Sequence, residues 1–157
     1  MKDRRFLSFL LLALLLAACS RRADEVREGA LARVQHALEL ARQRPGMIGN
    51  EAEAQAAWTK ALLALDEAAG SLSACPGKGD ECLAAGLSCL LNAERELRLV
   101  EQLGGVARLQ EFADVQRETQ QAAELLYTYF YGEASGTGGG EWRGPPTPRP
   151  PGVCPGG

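Results

Sequence analysis

The feature that most constrains this chain is the helical spacing of its apolar residues between residues 23 and 131. Apolar residues recur there every three or four positions in four segments, with glycine and proline breaks such as Pro45-Gly46 and Gly104-Gly105. Ala, Leu, Glu, Gln and Arg dominate this region and β-branched residues are scarce, which favours helix over strand. Because short connections make consecutive helices antiparallel, the sequence predicts an all-α, three- or four-helix antiparallel bundle.

The predicted helices begin and end at recognisable signals. The first covers 23–44 and follows the N-terminal segment directly, so a loosely docked stalk is an alternative for it. The second begins at Asn50, and Glu53 three residues later matches the pattern of a capping box with Asn in place of Ser or Thr. The third begins at Asp80 as N-cap, and the fourth covers 106–131, with Gln116 and Thr119 interrupting its apolar stripe. The residues expected to face inward on the last two helices are Leu83, Gly86, Leu90, Ala93, Leu97 and Val100, then Leu109, Phe112, Ala113, Ala123, Leu126 and Phe130.

The N-terminal segment has the layout of a secretory signal peptide. Basic residues precede an apolar run of 13 residues, Phe6 to Ala18, interrupted only by Ser8. This run is too short for a membrane span, which needs roughly 20 residues. Its end, Leu16-Ala17-Ala18-Cys19, resembles the lipobox of bacterial lipoproteins.

That resemblance implies cleavage before Cys19 and modification of this residue with diacylglycerol and an N-acyl chain such as palmitate. Acyl chains anchor a protein stably when two or more are present, so the membrane is the first expected partner. Ser20 resembles the sorting signal of lipoproteins exported to the outer membrane. The sequence thus divides into a cleaved signal peptide (1–18), a lipidated linker (19–22), a helical domain (23–131) and a tail (132–157), on the periplasmic side of the cell envelope.

Composition excludes some partners and predicts the state of the tail. Loss of residues 1–18 removes three basic residues and one acidic residue, so the net charge moves from −3 to −5, which argues against nucleic acid as a partner. The tail holds nine glycines and six prolines in 26 residues, a composition that predicts disorder with polyproline II character. Trp142 is its one large side chain and the candidate anchor for any partner of the tail.

Four cysteines remain after Cys19, and an exported compartment favours two disulfides. Cys82 and Cys89 lie about 10.5 Å apart along one predicted helix, too far to bond to each other. Two pairings stay open: Cys75 with Cys82 and Cys89 with Cys154, which the short turn-rich loop after Cys75 favours, or Cys75 with Cys89 and Cys82 with Cys154. The cysteine spacing does not match a zinc site, so neither a metal nor a cofactor beyond the lipid is expected.

Catalytic chemistry is not predicted. The one histidine, His36, lies on a helix with Arg33 and Arg44 and reads as a surface or boundary residue. The charged residues that follow on the third and fourth helices are spaced as on a solvated helix face: Glu94, Glu96, Glu101 and Glu111 with Arg95, Arg98 and Arg108.

The remaining interpretation is a non-catalytic binding or assembly accessory of the envelope whose protein partner is unidentified. In outline such a chain is similar to the pilotins, the helical lipoproteins that escort secretin subunits. Two alternatives stay open. The motif Ala54-Gln55-Ala56-Ala57-Trp58 is similar to one in helical lysozyme-inhibitor lipoproteins, although core packing also explains Trp58. A phage outer-membrane spanin is suggested by the lipobox together with the prolines.

Overall fold

The fold is an all-α, four-helix antiparallel bundle, as the sequence predicts. The computed structural model describes residues 2–44, 46–74 and 80–132, with side chains from residue 21 onward. The helices are α1 (Lys2–Gln43), α2 (Ala52–Ser73), α3 (Asp80–Gln102) and α4 (Leu109–Tyr131). Neighbouring helices in the chain pack side by side and α4 returns against α1.

The helix α1 is packed into the bundle, so the stalk alternative is wrong for its second half. Ala30, Val34, Ala37 and Leu38 are buried against the rest of the core. The helical backbone extends back to Lys2 without a break. The side chains of the apolar run, and with them Cys19 and Ser20, lie outside the described residues.

The helix α2 is built largely from alanine on its buried side. Its buried residues are Ala54, Ala57, Ala61, Ala64, Leu65, Ala68 and Leu72. The predicted capping box is wrong, because α2 begins at Ala52 behind Glu51 and no side chain caps it. The Gln55 side chain instead donates to the carbonyl oxygen of Gly49 at 3.1 Å, which fixes the entry into α2.

Two loops meet at one end of the bundle. Ile48 and Val106 form an isolated antiparallel bridge, and the Gly49 N–H donates to the Gly105 carbonyl at 2.7 Å. This pairing holds Val106 in the loop, so α4 begins at Leu109 and not at the predicted 106. Gly105 approaches α2 so closely that a Cβ atom there would lie 2.2 Å from the Cβ of Ala54.

The inward face of α3 is confirmed, and that of α4 is partly wrong. All six residues predicted to face inward on α3 are buried, from Leu83 to Val100. On α4, Leu109 is 72% exposed and Ala113 is also exposed. Val115 and Thr119 are buried in their place, and the Thr119 hydroxyl donates to the Val115 carbonyl at 2.8 Å. Because this bond is made within its own helix, Thr119 enters the core without an unpaired polar group.

The interface between α1 and α4 is lined with charged side chains. Arg33 contacts Glu118 at 3.1 Å and also donates to Gln121, and the Nδ1 atom of His36 lies 3.5 Å from the other Glu118 oxygen. Arg44 lies 3.7 Å from Glu111 near the other end. These pairs are consistent with an antiparallel register, in which residues 21–25 of α1 lie beside the last turn of α4.

Candidate functional site

A polar groove between α3 and α4 is the candidate site. It has a volume of about 510 Å³, within the usual range of about 300–1,000 Å³ for small-ligand pockets. Its lining residues come from the second half of α3 and the middle of α4: Glu94, Leu97, Arg98, Glu101, Gln102, Gln116 and Gln120.

Glu94 is the buried acid of this groove. The residue is 8% exposed, and its Oε1 atom is buried without a hydrogen-bond partner. The other oxygen, Oε2, lies 3.6 Å from the Arg98 guanidinium one turn along α3. Ionising a buried carboxyl is costly when one of its oxygens accepts no hydrogen bond. Burial therefore destabilises the charged form of Glu94.

The electrostatic surroundings favour the neutral form of Glu94. Burial raises the pKa of its carboxyl from the usual 4.5 to about 7; Arg98 opposes this increase, and Glu124 on α4 adds to it. Desolvation exceeds the attraction of Arg98, whose side chain is 55% exposed, because water screens the charge of a solvated side chain. Near neutral pH, Glu94 exists as a mixture of the protonated and ionised forms.

The rim of the groove is held by hydrogen bonding between the two helices. The Gln116 side chain on α4 donates to Glu101 on α3 at 3.3 Å. Gln102 and Gln120 add two further amides to the lining. The groove therefore presents carboxylates, amides and one guanidinium, a set that offers hydrogen bonds and charge.

The prediction of a solvated charged face is wrong for Glu94 and Glu96, and Glu111 is only partly exposed. Glu94 and Glu96 are each only 8% exposed, whereas Arg95, Arg98 and Glu101 are exposed as expected. Glu96 pairs with Arg95 at 3.1 Å and leaves its Oε2 atom buried without a partner. The missed signal is positional: Glu94 follows Leu90 by four residues and precedes Leu97 by three, which places it on the apolar side of α3.

The other predicted residues do not meet at this groove. His36 faces Glu118 between α1 and α4 with its side chain 54% exposed, as predicted for a surface or boundary residue. Trp58 is half-buried, with its ring centroid 6.0 Å from that of Phe112, consistent with packing against the core. Across the described ranges, no group of three or more His, Cys, Asp or Glu residues is arranged to hold a metal ion.

The remaining predicted site residues are the cysteines and Trp142. Cys82 and Cys89 each take part in a disulfide bond. Cys75, Cys154 and Trp142 lie outside the described residues, as does the tail beyond Gly132. The connectivity of the two disulfides stays a prediction.

Among the helices whose side chains are described, none has an apolar stretch long enough to cross a membrane. The chain matches no protein family, no curated protein and no solved structure.

Proposed function

We propose that this chain is a lipid-anchored envelope lipoprotein that acts as a non-catalytic binding or assembly module and holds its partner through the α3–α4 groove. The lipobox resemblance at 16–19 supports the anchor, and Ser20 supports the outer membrane as its site. The observation that carries the binding role is the groove itself, whose lining combines Glu94, Glu101 and Arg98 with three glutamines.

The distance between the anchor and the groove fits this role. The contacts of Arg33 and His36 with Gln121 and Glu118 place the groove residues of α4 level with about residue 36 of α1. At a rise of 1.5 Å per residue, this level lies about 20 Å from Arg21 along the helix axis. The groove is thus separated along the helix axis from the end of the chain that would carry the lipid.

The chemistry of the groove supports binding more than catalysis. Its side chains are carboxylates, amides and a guanidinium, which recognise a ligand through hydrogen bonds and charge. The single histidine lies on a different interface, between α1 and α4. A general acid and base would need to converge on one reacting group, and His36 and Glu94 face different neighbours.

Two disulfides complete the proposal. We favour Cys75 with Cys82 and Cys89 with Cys154, which staples the turn before α3 and ties the tail to this helix. A disulfide that closes a short loop contributes about 2–3 kcal/mol to the free energy of unfolding. Peptide mapping without reduction distinguishes this pairing from Cys75 with Cys89 and Cys82 with Cys154.

The anchor is tested by metabolic labelling with palmitate in an expressing Gram-negative cell. The wild-type chain should incorporate label and partition with outer-membrane vesicles, and Cys19→Ser should lose both. A matched Cys82→Ser variant should keep the label. Equal labelling and membrane partition of wild type and Cys19→Ser contradict the anchor.

The binding role is tested by site-specific photocrosslinking in the same cells. A photoreactive residue replaces Gln120 in the groove or, as the matched control, the exposed Lys60 on α2. A discrete crosslinked species from position 120 alone supports the groove as the binding surface. Identical patterns from both positions contradict it.

A further inference from the structure

We infer that the bundle rests on the membrane surface through the end of α4, and that its partner there is the headgroup layer of a zwitterionic phospholipid bilayer. The surface concerned is the aromatic end of α4, defined as Tyr127, Tyr129, Phe130 and Tyr131. This inference rests on the proposed lipid anchor at Cys19 and goes beyond it. The anchor by itself leaves the orientation of the bundle open, whereas contact through one end fixes it.

Aromatic residues are concentrated at the end of α4. Its last five residues hold all three tyrosines of the chain and a phenylalanine. The rings of Tyr127 and Tyr131 stack with their centroids 4.7 Å apart, and the centroid of Phe130 lies 6.3 Å from that of Tyr131. Tyr131 is nevertheless 45% exposed. The last turn of α4 therefore presents aromatic surface to the outside of the bundle.

The aromatic end of α4 is held in place by the start of α3. The Tyr129 hydroxyl donates to Oδ1 of Asp80 at 2.7 Å, and the Tyr129 ring meets that of Phe130 edge-on at 5.2 Å. Both rings also pack against the apolar core. Tyr127 and Tyr131 are thus presented by a fixed helix and not by a frayed terminus.

The packing of α1 against α4 places the aromatic end close to the anchored residue. A Cβ built on Gly29 would lie 3.4 Å from the Cδ1 atom of Leu125, so these two residues are level in the antiparallel pair. Six residues back along α1 and six residues forward along α4, Ala23 is level with Tyr131. The backbone of α1 is helical without a break, so Cys19 lies four residues, or about 6 Å, beyond that level.

This distance matches the thickness of a headgroup layer, which is about 5–8 Å on each side of the hydrocarbon core. With the acyl chains of Cys19 in that core, Tyr131 lies at headgroup level and Tyr127 lies one turn further out. A tilt of the bundle toward α4 brings both stacked rings into the layer. Tyrosine is enriched at this depth in membrane proteins because its ring is apolar while its hydroxyl stays hydrated.

The charges beside the anchor favour a zwitterionic surface over an anionic one. Arg21 and Arg22 are exposed just after Cys19 and can donate to lipid phosphates. Asp24 and Glu25 are exposed close behind them, so this segment carries no net positive charge. Attraction to anionic lipid needs a cluster of basic residues. The aromatic rings therefore contribute more to this contact than charge does.

The position of the tyrosines makes the test selective. Biosynthetic labelling with fluorotyrosine gives fluorine NMR signals from Tyr127, Tyr129 and Tyr131 alone, which single Tyr→Phe substitutions assign. The lipidated chain is placed in phosphatidylcholine nanodiscs, first with a phospholipid that carries a nitroxide on its headgroup and then with a water-soluble gadolinium chelate. We expect the nitroxide lipid to broaden Tyr131 most and Tyr127 next, and the chelate to leave Tyr131 sharp.

Leu109→Tyr supplies the matched position, because Leu109 is 72% exposed at the other end of α4. The chelate should broaden the fluorotyrosine at position 109, and the nitroxide lipid should not. If the chelate broadens Tyr131 equally while the chain stays on the nanodisc, the inference is overturned and the anchor stands. Protection of Tyr131 without broadening by the nitroxide lipid means that protein covers the ring, which also overturns the inference. A chain that leaves the nanodisc overturns the anchor and the inference together.

A charge placed in the contact provides a second test. Tyr131→Asp changes a side chain that is 45% exposed, so the core is kept, and it puts a carboxylate into the headgroup layer. The nitroxide lipid should then lose most of its effect on Tyr127. Leu109→Asp, at the opposite end of α4, should leave that effect unchanged. Equal broadening of Tyr127 in wild type and Tyr131→Asp overturns the inference.

Discussion

Helix α3 faces α2 on one side and α4 on the other, and the two interfaces differ in how closely the helices approach. Gly86 lies against α2, and the side chain of Leu72 occupies the space that a Cβ at Gly86 would need. A Cβ there would lie 2.8 Å from a methyl carbon of that leucine. Against α4, helix α3 presents Glu94, Arg98 and Glu101, which line a groove. The α2–α3 interface is the most extensive in the bundle.

The same helix thus contributes to the closely packed α2–α3 interface and to the candidate site. Small residues let two helices approach closely and exclude water, as the alanines of α2 do. Long polar residues at the edge of an apolar stripe keep helices apart and leave room for a ligand. The α1–α4 interface differs from both, because charged side chains meet there: Glu118 contacts Arg33 and His36.

The largest loss of stability is expected at Gly105, where the backbone packs closely against Ala54 of α2. Gly105→Ala introduces a Cβ 2.2 Å from the Cβ of Ala54, and neither carbon belongs to a side chain that can rotate away. We expect a loss of about 3 kcal/mol or more in the free energy of unfolding, at the upper end for an overpacked site. Chemical denaturation measures it.

Gly70 on α2 is the matched control, because nothing lies within 4 Å of a Cβ built there. Gly70→Ala should stabilise the chain by about 0.5–1 kcal/mol through helix propensity. A Gly105→Ala variant as stable as wild type would show that the loop at 105 does not pack on α2 as described.

The next largest change in the free energy of unfolding is expected at Glu94, between α3 and α4, where the substitution should stabilise the chain. The pKa of Glu94 is raised in the folded chain, so the folded state holds a proton that the unfolded state loses between pH 4.5 and about 7. Stability therefore falls as the pH rises through this window, by about 3 kcal/mol in total. Glu94→Gln removes the titration and should stabilise the chain by about 2–3 kcal/mol at pH 8, with little change at pH 4.

Glu101→Gln serves as the control for this experiment. Its carboxyl is exposed on the same groove, so the change in stability should stay within about 0.5 kcal/mol at either pH. A stability profile of Glu94→Gln that runs parallel to that of wild type from pH 4 to pH 8 contradicts the buried acid.

A smaller effect is expected at the charged α1–α4 interface. The Glu118 side chain is 12% exposed and contacts both Arg33 and His36. Glu118→Ala should lower the free energy of unfolding by about 1–2 kcal/mol, since it removes hydrogen bonds to charged groups that are partly exposed. Urea denaturation in low and in high salt measures this loss, and high salt should reduce it.

The smallest effect is predicted for a fully solvated pair. Arg42 and Asp66 lie 3.6 Å apart between α1 and α2 with side chains 71% and 67% exposed. Asp66→Asn should change stability by less than about 0.5 kcal/mol. A loss equal to that of Glu118→Ala would show that exposure does not rank these ion pairs.

The sequence predicted what depends on periodicity within one helix. The inward face of α3, from Leu83 to Val100, follows from its apolar spacing alone and is confirmed. The start of α4 could not be found this way, because Val106 is held by Ile48 from a distant loop. Local spacing carries no information about such a pairing.

The candidate site between α3 and α4 could not be predicted from the sequence for a related reason. Glu94 and Glu96 look like solvated helix charges beside Arg95 and Arg98, and their burial depends on which helices pack against α3. The spacing from Leu90 and Leu97 did contain a signal for Glu94. The groove itself is created by two helices together, so no single segment encodes it.

The most direct test of this account is the titration of Glu94 followed by the NMR signal of its side-chain carboxyl carbon, assigned by comparison with Glu94→Gln. We expect an apparent pKa of about 7, raised by burial of the carboxyl. A midpoint for Glu94 at or below the usual value of 4.5 would contradict the buried acid.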